Sequence, residues 1–224
     1  MNVRFACAAF LAASFAFGQV AEQANSGYRT KEGRDRVASS LARPSRDERQ
    51  KPQELVDGLG LKPGQVVADI GTGIGYMLPY LSRAVGPSGR VYAEDIHDDF
   101  LEKAEAKAKK EKLSNVSFVK GIEADVKLAK NSIDMAFALD AYHHMNYPEP
   151  IVDSIHRALK LGGRFVVVDF YKREGAMGPG RDARGHIRAD QADVIREVEA
   201  RGFKLTSKSE HLKDSQYVLV FKKK

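Results

Sequence analysis

Short runs rich in β-branched and other apolar residues alternate along the chain with longer segments of mixed polarity. The runs predict strands, and the helical spacing of apolar residues between them predicts helices. Predicted strands cover 66–70, 90–95, 116–120, 133–139, 164–170, 203–209 and 216–222. Predicted helices cover 53–59, 74–85, 98–113, a segment after Pro148, and 189–201. This alternation predicts an α/β fold with a doubly wound, mostly parallel sheet of seven strands.

The last two predicted strands depart from the alternation. Only a short turn joins 203–209 to 216–222, which leaves no room for a crossover helix. Strands joined in this way run antiparallel to each other. We therefore expect one antiparallel strand beside the last parallel one, near the C-terminus.

The first 18 residues have the pattern of a secretory signal peptide. Arg4 precedes an apolar run over 5–17, and small residues occupy the −3 and −1 positions before Gln19. The run is too short for a membrane span, and a buried N-terminal helix is the alternative. Cleavage before Gln19 would make the protein exported, either periplasmic or secreted; without cleavage it would be cytoplasmic.

Composition is compatible with one domain and short extensions. The chain has 224 residues, of which 43% are hydrophobic and 29% charged, and its formal net charge is +6. Without a long Lys/Arg block, this modest charge gives no reason to expect nucleic-acid binding. The only cysteine, Cys7, lies in the predicted signal, so disulfide and thiol chemistry are not expected after cleavage. Residues 19–45 are polar and predict a linker or an N-terminal cap, ahead of a domain over 46–224.

A glycine-rich turn follows the first predicted strand and is the strongest chemical signal. Gly71, Gly73 and Gly75 form G-x-G-x-G; this is not the dinucleotide pattern G-x-G-x-x-G, because Tyr76 occupies the place of the last glycine. Asp69 stands just before the turn, where a carboxylate would repel a pyrophosphate and attract a cationic ligand.

Further acids follow the next two strands. Glu94 and Asp95 end the second strand, where an acid can accept hydrogen bonds from a ribose diol. Asp125 follows the third strand, near the expected place of an adenine amino group. Together with Asp69, these acids suit a nucleoside that carries positive charge and no phosphate.

The order of these motifs resembles the class I S-adenosylmethionine-dependent methyltransferases over roughly 50–221. The resemblance rests on four stretches, VADIGTGIG at 67–75, VYAEDI at 91–96, NSID at 131–134 and LKLGGR at 159–164. It implies a Rossmann-like fold, S-adenosylmethionine as cofactor, and 46–224 as the methyltransferase domain.

The resemblance also implies a cofactor site. Gly71, Gly73 and Gly75 would pass the methionine part, Asp69 would interact with its ammonium group, and Asp95 would hold the ribose. The full predicted set is Asp69, Gly71, Thr72, Gly73, Gly75, Asp95, Ile96, Ala124, Asp125 and Asp140, with Ala124 and Asp125 at the adenine. The alternative for Asp69 and Asp95 is a role in capping a helix or forming a turn.

Tyr142, His143 and His144 follow the fourth strand, whose end points at the methyl group in this family. They are the predicted catalytic residues, either as a general base or as walls of the acceptor pocket. The alternative is that one histidine caps a loop and the other is exposed. No metal site is expected, because adjacent histidines on an extended segment point apart. The Asn/Asp-Pro-Pro-Tyr motif of some base methylases is missing here.

The glycine-rich loop over 172–188 carries Arg173, Arg181, Arg184, His186 and Arg188. Closure of this loop over the acceptor would favour an anionic or polar substrate, and a solvated loop is the alternative. The predicted function is methyl transfer to an unidentified acceptor, most simply a small molecule. Protein side chains and quinone precursors stay open as acceptors. Two other functions stay open, an exported non-catalytic protein that binds an adenosyl ligand and a nicotinamide-dependent oxidoreductase.

Overall fold

A computed structural model describes residues 20–224, so the predicted signal peptide lies outside the described residues. The strands are β1 (Val66–Ile70), β2 (Arg90–Asp95), β3 (Val116–Lys120), β4 (Ile133–Leu139), β5 (Leu159–Phe170), β6 (Phe203–Leu212) and β7 (Gln216–Lys223). The helices are α1 (Lys31–Leu41), α2 (Arg46–Gln50), α3 (Pro52–Gly58), α4 (Leu78–Val85), α5 (Asp98–Lys110), α6 (Pro148–Ala158), α7 (Ala183–His186) and α8 (Gln191–Glu199). Short 3₁₀ helices span Ala24–Tyr28 and Tyr142–His144.

Within residues 20–224 the strands form one sheet of seven, in the order β3-β2-β1-β4-β5-β7-β6. The pairs among β1 to β5 are parallel, whereas β7 runs antiparallel to both β5 and β6. The predicted fold class is therefore confirmed, including the single antiparallel strand. The strand order reverses between β1 and β4, which is where open α/β sheets bind their ligands.

The sheet separates two apolar cores. Successive side chains of a strand point to opposite faces, so Val67 and Ala68 of β1 enter different cores. Leu55 of α3 and Leu81 of α4 pack on the Val67 face, and Ile155 of α6 packs on the Ala68 face. Helices on both faces explain why the central strands are apolar on both sides.

Several predicted boundaries differ from the structure, most of all the starts of α4 and β5. Helix α4 begins at Leu78 instead of residue 74, because Pro79 occupies its first turn, where a missing N–H costs nothing. Helix α6 ends at Ala158, and β5 starts at Leu159, five residues before its predicted start at 164. Leu159 pairs with Ile133 there.

The segment predicted as a linker or an N-terminal cap folds onto the domain. Its 3₁₀ helix and α1 lie beside the 3₁₀ helix over 142–144 and beside α5. Asn25 Nδ2 donates to the carbonyl of His144 at 2.9 Å, and Arg34 binds both carboxylate oxygens of Asp99 at 2.9 and 3.0 Å. No helix within residues 20–224 has the length and apolar character needed to cross a membrane.

Candidate active site

A cavity of about 430 Å³ lies at the carboxyl ends of β1, β2 and β4. The glycine turn after β1 and the ends of β2 and β4 form its inner wall, and the N-terminal segment covers it. Predicted site residues that line it are Asp69, Gly71, Thr72, Asp95, Ile96, Asp140 and His144. Gly73, Gly75, Ala124, Asp125, Tyr142 and His143 lie outside its walls.

The glycine turn is built from left-handed backbone. Gly71, Gly73 and Gly75 have φ values of 68°, 56° and 77°, a region that costs other residues energy. A Cβ at Gly71 would come within 2.8 Å of the Cβ of Ala141, and one at Gly75 would meet Leu78 at the same distance. Gly71 is therefore needed where the turn meets the segment after β4, and Gly75 is needed where the turn meets α4.

Asp69 is buried at the start of this turn. Its Oδ2 accepts a hydrogen bond from Thr72 Oγ1 at 2.6 Å. Burial raises the pKa of Asp69 to about 7, with a further contribution from Asp95, although the Thr72 bond works in the opposite direction. A nearby cation would favour the ionised form of this carboxyl group.

Asp95 ends β2 with its carboxylate held by backbone. It accepts hydrogen bonds from the N–H groups of Gly73 and His97, both at 2.9 Å. Burial raises the pKa of Asp95 to about 6 even against these bonds. Glu94 is buried beside it and accepts from Gly71 N at 3.3 Å, and burial raises its pKa well above the usual range.

Asp140 adds a third buried aspartate to the cavity. Gln216 Nε2 donates to its Oδ1 at 2.6 Å, and burial raises the pKa of Asp140 to about 7. Arg46 faces Asp140 and Asp69, and its guanidinium lies 3.7 Å from the ring centroid of Tyr76. The four buried carboxyl groups of Asp69, Glu94, Asp95 and Asp140 thus outnumber the cations that act on them, Arg46, Arg181 and Lys120, which favours a positively charged ligand.

Ala124 and Asp125, the residues predicted at the adenine, do not line the cavity. Asp125 Oδ1 accepts from Arg157 at 2.9 Å, so its carboxylate faces α6 instead of the cavity. Glu123 lines the cavity in its place and accepts from Asn146 Nδ2 at 3.0 Å. The Oδ1 atom of Asn146 is buried and has no partner among the described residues, so it is available to a ligand N–H group.

Tyr142 is a core residue and does not reach the cavity, contrary to its predicted role. Its side chain is buried beside Phe165, and its hydroxyl donates to Glu197 Oε2 at 2.9 Å. Arg188 lies over the ring at 5.2 Å. The residue therefore anchors the segment after β4 to α8.

The two adjacent histidines lie on a 3₁₀ helix, and the expectation that they point apart is wrong. Their ring centroids are 4.0 Å apart. His144 lines the cavity, whereas His143 is buried behind it with Nδ1 at 2.6 Å from Asp169 Oδ1. Burial lowers the pKa of His143 and of His144 well below the usual range. The neutral His143 ring therefore donates its Nδ1–H to Asp169.

Comparisons with known proteins agree with this geometry. A family model described as a methyltransferase domain matches residues 68–167. A SAM-dependent methyltransferase from Aquifex aeolicus superposes with a TM-score of 0.77 at 28% identity, over 84% of this chain and 97% of that one. Residues 68–167 form a methyltransferase domain, and the chain as a whole has the fold of a SAM-dependent methyltransferase. The cofactor of such a domain is S-adenosylmethionine.

Other relatives of this methyltransferase match a smaller part of the chain. The ubiquinone/menaquinone biosynthesis C-methyltransferases UbiE of Klebsiella pneumoniae and Psychromonas ingrahamii are 32% and 30% identical over 123 and 116 residues. These alignments cover 52% and 51% of this chain and 47% and 46% of the relatives, so the chain spans about half their length. A TehB-like methyltransferase from Corynebacterium glutamicum, with a TM-score of 0.58 at 20% identity over 77% of this chain and 88% of that one, shows the fold alone.

The basic loop of the methyltransferase turns most of its charge away from the cavity. Arg188 binds both carboxylate oxygens of Glu197, at 2.6 and 2.8 Å, and Arg173 binds Asp214 at 2.8 Å. His186 of α7 approaches the site, with its ring 5.4 Å from that of His144. Beside the larger effect of burial, the charge of Arg181 in the same loop acts to lower the pKa of Asp140 and of His144. In the described part of the chain, no residue of this loop belongs to the cavity wall.

Several residues of the site carry no motif in the sequence. Asn25, Tyr28 and Arg46 reach the cavity from the N-terminal segment, and Asp169 orients His143 from the end of β5. Asp169 is an acid at the end of a central strand, and this position is the signal that could have identified it. The N-terminal residues gave no comparable signal, because their position depends on how the segment folds back.

Proposed function

We propose that this methyltransferase transfers the methyl group of S-adenosylmethionine to a small polar molecule that binds beside His144. The observation that carries the proposal is the buried acidic wall of the cavity, in which Asp69 and Asp140 face Arg46 and Asp95 lies near Asp69. The UbiE relatives act in ubiquinone/menaquinone biosynthesis by their name. A small-molecule acceptor for this chain is consistent with that likeness.

The residues of the cavity fit the cofactor. Asp69 would face its ammonium group, Arg46 its carboxylate and Asp95 the ribose hydroxyls. Glu123 and the unpartnered Asn146 Oδ1 would accept from the adenine amino group. When bound, the cofactor supplies an activated methyl group on a positively charged sulfur. The buried carboxylates match this charge without a phosphate-binding group.

The acceptor end lies between the N-terminal segment and the segment after β4. Tyr28 and His144 pack there with ring centroids 4.8 Å apart, and the Tyr28 hydroxyl lies 3.5 Å from His144 Nε2. These two polar groups can hold a hydroxyl, amine or carbonyl of the acceptor. The covering segment limits water, and alignment is the main contribution of the protein to a direct methyl transfer.

Binding of S-adenosylmethionine by titration calorimetry tests the cofactor half of the proposal. Asp95→Ala removes a ribose acceptor, and we expect it to weaken binding about 10–100-fold, the range for a hydrogen bond to a charged group. Asp98→Ala is the matched control, because Asp98 is exposed and pairs with Lys120. Absence of binding by the wild type, or equal affinity in both variants, would contradict the proposal.

Transfer of a labelled methyl group to a fractionated cell extract tests the acceptor half. We expect the label in the small-molecule fraction. Label in protein or nucleic acid would contradict the proposed acceptor class. Cofactor binding without any labelled product would favour the alternative of a non-catalytic adenosyl-binding protein.

We also propose that residues 1–18 direct export and are removed before Gln19. The support is the charged start, the apolar run and the small residues before Gln19. N-terminal sequencing of the protein recovered from its natural source should begin at Gln19. An intact Met1 on all recovered protein would contradict export by cleavage.

A further inference from the structure

Three histidines from two separate segments meet beside the acceptor end of the cavity. His143 and His144 come from the 3₁₀ helix after β4, and His186 comes from α7 in the basic loop. One side-chain nitrogen from each lies within 4.8 Å of the others. No hydrogen bond joins these three rings within residues 20–224, so mutual hydrogen bonding does not explain their approach.

Outer partners fix two of the rings. His143 Nδ1 lies 2.6 Å from Asp169 Oδ1, and His144 Nδ1 lies 2.9 Å from Asn25 Oδ1. In each ring the Nδ1–H donates to an oxygen, which leaves Nε2 as the atom whose lone pair can bind a metal ion. For His144 this atom has a long contact of 3.5 Å with the Tyr28 hydroxyl, which the ion would replace. Metal-binding histidines almost always have their second nitrogen held in this way by a carboxylate or an amide oxygen.

The surroundings also suit an ion with nitrogen ligands. His143 is buried, His144 and His186 are partly buried, and the carboxyl group of Asp169 lies one ligand away. Three imidazoles favour zinc and similar first-row metals over magnesium or calcium, which prefer oxygen. A three-histidine set leaves one position of a tetrahedral zinc site open.

We propose that His143, His144 and His186 bind one zinc-type divalent metal ion. Asp169 and Asn25 act as positioning residues for two of the ligands. The ion fastens α7 to the segment after β4, and it adjoins the cavity through His144. With Nε2 of His144 on the ion, the open metal position would hold an oxygen atom of the acceptor in place of a direct hydrogen bond to His144, a part of the inference that rests on the proposed function.

Zinc titration of the full-length protein tests the site, with protein that carries no histidine tag and has been stripped with a chelator. Calorimetry and metal analysis after dialysis should both give one zinc ion per chain. His186→Ala should weaken binding at least about a hundredfold, since it removes a ligand. Asp169→Asn should weaken it about 10–100-fold, as expected for an outer partner.

A matched histidine control separates the site from nonspecific binding. His156 packs on Phe203 and belongs to no such group, so His156→Ala should retain full zinc affinity. Cobalt(II) added to the wild type should give the strong visible absorption of a four-coordinate site, a readout that needs no variant to fold. Equal zinc binding by wild type and His186→Ala, or a wild type that shows neither zinc binding nor the cobalt spectrum, would overturn the proposal.

The metal proposal and the proposed function can fail separately. Calorimetry with S-adenosylmethionine on the chelator-stripped protein measures the cofactor site alone. Cofactor binding without zinc binding overturns only the metal site. Zinc binding without cofactor binding contradicts the proposed function and leaves the metal site in place.

Discussion

The two ends of the cavity are built in different ways. At the cofactor end, Asp69, Gly71 and Asp95 come from β1, its turn and the neighbouring β2. At the acceptor end, Asn25 and His144 are 119 positions apart and are joined by side-chain hydrogen bonds. The first end is therefore fixed by the backbone of the sheet, whereas the second depends on how loops and the N-terminal segment pack.

This difference separates the part of the cavity that binds the cofactor from the part that selects the acceptor. The sheet holds a cofactor site whose form is largely independent of the loops. The loops and the N-terminal segment can then vary the acceptor without disturbing that site. The two ends touch where Gly71 meets Ala141, the residue that precedes the 3₁₀ helix of the histidines.

The contact between Gly71 and Ala141 provides the largest expected effect. Gly71→Ala would place a Cβ 2.8 Å from the Cβ of Ala141, at a φ of 68°. We expect the free energy of unfolding to fall by about 3 kcal/mol, as the sum of left-handed strain and overpacking. Urea denaturation followed by circular dichroism measures this change.

Two further variants isolate the steric part of that effect. Gly175 has a similar φ of 79°, but a Cβ there would have nothing within 4 Å, so Gly175→Ala should lose only about 1 kcal/mol. Adding Ala141→Gly to Gly71→Ala should restore part of the stability. Equal losses of unfolding free energy in Gly71→Ala and Gly175→Ala, with no recovery in the double variant, would show that the contact between residue 71 and Ala141 does not limit stability.

The fold was predictable because its signals are local. Each predicted strand overlaps an observed one, since apolar runs and turn residues mark the strands of a buried parallel sheet. Helix α4 was placed too early because apolar spacing alone does not show where Pro79 fixes the first turn. The sequence did not show that Glu123 would line the cavity and Asp125 would not, because this depends on a turn between Ile122 and Asp125, which form a β-bridge.

The acceptor end was less predictable for a physical reason. Nothing local showed that residues 142–144 would form a 3₁₀ helix, so the rings of His143 and His144 were expected to diverge. Tyr142 was assigned to the pocket although Phe165 and Glu197, both distant in sequence, hold it in the core. Such placements depend on contacts that form only when the whole domain folds.

The pH dependence of cofactor binding provides the second largest effect. Burial raises the pKa of Asp69 and of Asp140 to about 7, and a cationic ligand binds the ionised carboxylates. Affinity should therefore be greatest above the pKa and fall about tenfold between about pH 8 and about pH 6. Calorimetric titrations of S-adenosylmethionine across this range, at constant ionic strength, measure the slope.

Two variants test whether the buried acids cause the pH dependence of cofactor affinity. Asp69→Asn should bind more weakly throughout and show a flatter pH dependence, whereas Asp98→Asn should keep the wild-type slope. An affinity that does not change with pH would contradict the acidic wall as the cofactor's counter-charge.

The stability of the ligand-free protein depends on pH in the opposite direction from cofactor binding. Between about pH 4 and about pH 7 the folded state holds more protons on these acids than the unfolded state does, so their contribution favours folding as the pH falls.

At the acceptor end, folding stability depends on pH in the opposite direction. Burial lowers the pKa of His143 and of His144, so the unfolded chain takes up protons near the ordinary histidine pKa before the folded protein does. Their contribution to stability is present at higher pH and is lost as the pH falls through the unfolded value of about 6.5. The two ends of the cavity therefore respond to acidification in opposite directions.

The smallest expected effect concerns Asn25, which holds His144 through two hydrogen bonds of 2.9 Å. Asn25→Ala should lower kcat/KM for the acceptor about fivefold. This corresponds to about 1 kcal/mol less stabilisation of the transition state, because His144 is no longer held in position. Affinity for S-adenosylmethionine should stay within about twofold of the wild type, because the sheet holds that end. The adjacent Ser26 is exposed, so Ser26→Ala is the matched control and should change neither quantity. A parallel loss of cofactor affinity in Asn25→Ala would mean that the N-terminal segment shapes both ends of the cavity, and that the division between them is wrong.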